Sequence, residues 1–72
     1  MGSKYPVLTP KQITSALEKI GFIFVKQRGS HMKYQKGQYT VIIPNHPEVA
    51  KGTLKSILNM ANIELDEFLK LL

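Results

Sequence analysis

Residues 22–44, FIFVKQRGSHMKYQKGQYTVIIP, decide the fold. Phe22 to Val25 is aromatic and β-branched, the composition of a strand. Arg28-Gly29-Ser30 reads as a turn, and His31 to Gln35 as a second strand. Lys36-Gly37 reads as another tight turn, with glycine taking the positive φ. Tyr39 to Ile43 makes a third strand. Pro44-Asn45-His46-Pro47 ends it, because proline has no N–H to give to a ladder. The segment is expected to form a three-stranded antiparallel meander.

Centring the first turn on Arg28-Gly29 sets Lys26 opposite His31, Val25 opposite Met32, Phe24 opposite Lys33 and Ile23 opposite Tyr34. Centring the second on Lys36-Gly37 sets Tyr34 opposite Tyr39, Lys33 opposite Thr40, Met32 opposite Val41 and His31 opposite Ile42. One face then carries Ile23, Val25, Met32, Tyr34, Tyr39, Val41 and Ile43, the expected core. The other carries Phe24, Lys26, His31, Lys33, Thr40 and Ile42. A slip of one residue would exchange the faces; the greater apolarity of the first set favours this register.

On the N-terminal side, Thr9-Pro10-Lys11-Gln12 combines a threonine N-cap, proline at the first helical position and glutamine three residues after the threonine. Ile13, Ala16, Leu17 and Ile20 follow on one stripe, and Gly21 supplies a left-handed stop. A helix is expected over about 10–20. On the C-terminal side, Leu54, Ile57, Leu58 and Ala61 form a second stripe starting near Lys51-Gly52-Thr53, with Asn62 as its stop. Thr53 is expected to cap that helix, in preference to free amides there holding a phosphate. Leu65, Phe68, Leu69 and Leu72 form a short third helix. The order is αβββα plus a terminal helical turn, an α+β domain with helices on one face of the sheet.

At 72 residues the chain makes one small domain, expected to span 1–72, and its 43% hydrophobic content is ample for a globular core. With no cysteine it has no disulfide, thiolate zinc site or cysteine nucleophile, and it suits the reducing cytoplasm. No apolar run approaches the roughly 18 residues of a membrane span, and no secretory h-region follows Met1. The net charge of +5 is unevenly placed: residues 1–40 carry seven Lys/Arg and one acid, and no acid lies between Glu18 and Glu48. A basic front half points to a polyanion, nucleic acid first among candidates.

The helix-free face is therefore a basic strip containing an imidazole. Neutral His31 can take a proton from a ribose 2′-OH, whose oxygen then attacks the adjacent phosphate with no metal ion or other cofactor. Lys26, Arg28 or Lys33 would neutralise charge gathering on the phosphate oxygens. The plainer alternative for His31 is a solvated histidine at a strand start. His46, beyond the third strand and near the Gly29 turn, is a possible accessory that would protonate the leaving oxygen. A loop histidine that caps or packs is the preferred reading of it. Phe24 and Ile42 would stack on a base or meet a protein.

Several segments carry a resemblance. They are Pro6-Val7-Leu8-Thr9-Pro10-Lys11, Leu17-Glu18-Lys19-Ile20-Gly21-Phe22, Gln27-Arg28-Gly29-Ser30-His31 with Lys33-Tyr34, Ile43-Pro44-Asn45-His46, and Lys51-Gly52-Thr53-Leu54-Lys55-Ser56-Ile57-Leu58. In this order and spacing the chain resembles the HicA, or YcfA-like, toxins of HicAB toxin–antitoxin systems. The resemblance implies a double-stranded-RNA-binding-domain-like αβββα fold. It also implies an endoribonuclease that cuts mRNA, and a HicB-type antitoxin that masks the site. It places the catalytic histidine at His31 and the motif's turn, counted among the RNA-contacting residues, at Gly29 and Ser30. One departure is Glu64, where many relatives would have a serine N-cap. Two other functions fit the residues: a non-catalytic RNA-binding module, and a protein-interaction domain built on Phe24 and Ile42.

Overall fold

The computed structural model describes residues 4–72. Helix α1 (Pro10–Lys19) is followed by strands β1 (Ile23–Arg28), β2 (His31–Lys36) and β3 (Tyr39–Pro44), then helices α2 (Lys51–Ala61) and α3 (Leu65–Leu69). The strands form one antiparallel sheet in the order β1-β2-β3. This is the expected α+β order, with an open sheet.

Both ends of α1 and the end of α2 follow from their caps. The Gln12 amide donates to Thr9 Oγ1 at 3.2 Å, and the Thr9 amide donates to Gln12 Oε1 at 2.9 Å, so two amides without helical acceptors are satisfied reciprocally. Past its end, Gly21 takes φ +104, and α2 ends at Asn62 with φ +57. Helix α2 departs from expectation at its start. Its N-cap is Ala50, with no side-chain hydrogen bond, so Thr53 sits inside the first turn instead of capping it. Glu64 is the N-cap of α3 and likewise makes no side-chain cap.

Both hairpin turns lie one residue further along than the sequence reading places them. Arg28 pairs with His31, leaving Gly29-Ser30 at the tip, and Lys36 pairs with Tyr39, leaving Gly37-Gln38. The cause is the same twice. Glycine occupies the first central position, with φ +59 at Gly29 and +57 at Gly37, as a type II′ hairpin turn requires. The expected registers put glycine second. Moving a turn by one residue shifts each partner by two, so the faces of β2 and β3 are preserved. Tyr34 now lies across from Val41, Met32 from Ile43 and Lys33 from Ile42.

Strand β1 corrects the reading further. It runs to Arg28, and its pairing is broken between Phe24 and Lys26, leaving Val25 with no residue opposite. The extra residue inverts the alternation beyond it. Phe24, expected on the open face, pairs with Tyr34 and packs edge-on against its ring, centroids 5.6 Å apart. Ile23 and Val25, expected in the core, are 65% and 43% exposed. The buried aromatic of this segment is Phe22, just before the strand.

The core lies on the other two strands. Tyr34, Val41 and Ile43 of the sheet meet Ile13, Ala16 and Leu17 of α1 and Leu54, Ile57, Leu58 and Ala61 of α2, and Phe68 closes the end. Leu8 and Val49 form a single antiparallel bridge that ties the segment before α1 to the segment before α2.

Candidate nucleic-acid interface

The open face of the sheet presents two cationic rows. Arg28, His31 and Pro44 are cross-strand partners in one; Lys26, Lys33 and Ile42 are partners in the next. Rows on the same face are two residues apart, or about 7 Å along the strands. His31 is exposed, at the first position of β2 beside the hairpin tip. It therefore faces Arg28 across the strand pair, where Lys26 was expected, and Lys26 faces Lys33.

Two depressions meet at this imidazole. One, of about 310 Å³, is lined by Lys26, Arg28, His31, Lys33 and Ile42. The other, of about 420 Å³, is lined by His31, Ile42, Pro44, His46, Glu48, Val49, Ala50 and Thr53. His31 and Ile42 border both. The side chains anticipated on the basic strip thus surround one hollow, and both histidines border a second. Glu48 adds one negative charge at the far end, and the uncapped start of α2 forms part of that wall.

Backbone contacts set this geometry. The Asn45 amide donates to the Ser30 carbonyl at 2.6 Å, fastening the β3–α2 loop to the tip of the first hairpin and carrying His46 toward His31. Gln27 Nε2 donates to the Gly29 carbonyl at 2.8 Å and braces that tip. Gln35 Nε2 does the same to Gly37 at 3.2 Å in the second hairpin. The sequence reading gave neither glutamine a role at its turn, although a signal was there: Gln27-Arg28-Gly29 and Gln35-Lys36-Gly37 repeat one pattern, a glutamine two residues before the turn glycine.

A further depression, of about 360 Å³, lies between α1 and residues 71–72 and is lined in part by Lys11 and Lys19, without an imidazole. Lys19 Nζ donates there to the Leu71 carbonyl at 2.6 Å. Among the described residues, no group of three or more His, Asp or Glu side chains is arranged to hold a metal ion, and no helix is long and apolar enough to cross a membrane.

Fold and site together define a small basic α+β domain that leaves one sheet face bare around a histidine. The family model described as the HicA toxin of bacterial toxin–antitoxin systems matches residues 10–63. The chain belongs to that family, and is the toxin component of a toxin–antitoxin system, with an antitoxin as implied partner. A comparison with curated proteins returns no match.

Proposed function

We propose that this toxin is a metal-independent endoribonuclease that cuts mRNA in the cytoplasm, with His31 as general base, and that a HicB-type antitoxin masks its site. The observation that carries the proposal is the exposed His31 imidazole at the junction of two hollows, across from Arg28 and one row from Lys26 and Lys33. Membership of a toxin family whose members generally cleave mRNA supports the same reading.

In the proposed reaction His31 accepts the proton of a ribose 2′-OH. The freed oxygen bonds to the neighbouring phosphorus, and the bond to the 5′-oxygen of the next nucleotide breaks. That oxygen leaves with a proton from His46 or from water. The products are a 2′,3′-cyclic phosphate and a 5′-hydroxyl. Lys26, Arg28 and Lys33 stabilise the added negative charge on the phosphate oxygens, and Gly29 and Ser30 let the backbone at the hairpin tip approach the RNA. No step draws on a cofactor.

The test is a labelled mRNA incubated in EDTA with the wild-type chain and with His31→Ala. The wild type is expected to yield fragments ending in a cyclic phosphate. A substrate with 2′-deoxy at the cut position should stay whole. Salt-sensitive binding without any fragments would instead identify a non-catalytic RNA-binding module, and full cleavage by His31→Ala would remove His31 from the mechanism.

A further inference from the structure

Strand β1 is anomalous as an edge. All six of its residues are exposed, and three in succession are large and apolar: Ile23, Phe24 and Val25, at 65%, 51% and 43%. Among the described residues no strand pairs beyond it. The other edge strand, β3, is different, because Val41 and Ile43 are fully buried beneath the helices. Unpaired edges of this kind accept further strands, and proteins usually blunt them with charges, proline or a covering element. Here the apolar half of β1 carries none of these beyond the irregularity at Val25.

The charges say what would cover it. The strand continues into Lys26-Gln27-Arg28, its second half lies beside His31 and Lys33 of β2, and the chain carries +5 overall. A second copy would bring the same cations and the same net charge to the contact. A segment with apolar residues followed by Asp or Glu would match the strand along its whole length. RNA would match the cations and leave Ile23 to Val25 uncovered.

We infer that β1 is the receiving edge for an extended segment of the antitoxin, apolar along Ile23–Val25 and acidic beside Lys26 and Arg28. The added strand would be the sheet's fourth. Its acids would occupy the cations that the proposed reaction uses on phosphate, so the inference rests on the toxin–antitoxin reading of the His31 site. The antitoxin would then exclude RNA by taking its counter-charges, without inserting a group at His31 itself.

The experiment measures affinity of the cognate antitoxin for the toxin and for the double variant Ile23→Lys/Val25→Lys, alongside hydrogen exchange of the toxin alone and in complex. Both positions are exposed, so the variant is expected to keep its circular dichroism and its RNA cleavage while losing roughly a hundredfold in antitoxin affinity. In the wild-type complex, amides within residues 23–28 should become protected. Exchange on the wild type decides the matter even if the variant fails to fold. Undiminished affinity in a folded variant, or unchanged exchange of β1 in the complex, overturns the inference. So does a dimer of free toxin that the variant dissolves, which would make a second copy the occupant. Loss of RNA binding with antitoxin affinity intact overturns it in favour of RNA. Cleavage by the wild type and its loss in His31→Ala report on the nuclease reading separately.

Discussion

His31 owes its place to its two neighbours in the chain. Gly29 and Ser30 turn the hairpin, so the next residue opens β2 on the solvent side with Arg28 opposite. An exposed side chain of this kind contributes little to stability, so His31→Ala should change stability by no more than about 0.5 kcal/mol and leave the melting temperature nearly unchanged. Its effect on cleavage should be large, about 10²–10⁴-fold in rate, the usual worth of a general base. A comparable fall in both quantities would make His31 a structural residue. Gly29 should be intolerant for a different reason. A side chain there meets no atom within 4 Å, yet the backbone sits at φ +59, which costs an L-residue about 1 kcal/mol or more. Gly29→Val should therefore destabilise the hairpin tip and slow cleavage, and thermal melts with a cleavage assay would register both.

The helices were legible in the sequence because their apolar stripes, the capping box of α1 and the left-handed stops after α1 and α2 rest on local chemistry, although the start of α2 was misread. The reciprocal Thr9–Gln12 bonds are encoded within four residues, and removing the hydroxyl with Thr9→Ala should cost about 1 kcal/mol, or 4–8 °C in melting temperature for a domain of this size. The outward face of β2 and β3 was legible too, since alternation fixes it even when the turn is misplaced. The hairpin registers were not, because a glycine beside a turn can stand first or second, and only the backbone angles decide. Least legible was β1. Its composition says core, but whether a helix reaches an outer strand depends on helix length and sheet width, which a local pattern does not encode. The unpaired Val25 has no glycine to announce it.

Two balances set the behaviour of the molecule as a whole. The core is small, and Phe68 joins α3 to it while fully buried. Phe68→Ala should cost about 3–5 kcal/mol, a large share of a total of roughly 4–11 kcal/mol at 0.05–0.15 kcal/mol per residue, so cooperative unfolding should begin well below the wild-type melting temperature. A melt that stays high would mean α3 is dispensable. The charge balance governs binding. If Lys26, Arg28 and Lys33 each meet a phosphate, log affinity for single-stranded RNA should fall with log salt at a slope of about −2, and Lys33→Gln should flatten it by about 0.7. A slope near zero would remove the strip from the interface.

The bond from Asn45 to Ser30 also bears on timing. Position 31 leaves the ribosome well before position 46, and the hollow between the two imidazoles cannot close until the third strand has been laid down and fastened back on the first hairpin. Under the proposed mechanism, a truncated or half-made polypeptide would carry the general base without the hollow it shares with His46. On that reading, the hazard to the host cell would begin with completion of the sheet and not with synthesis of the histidine.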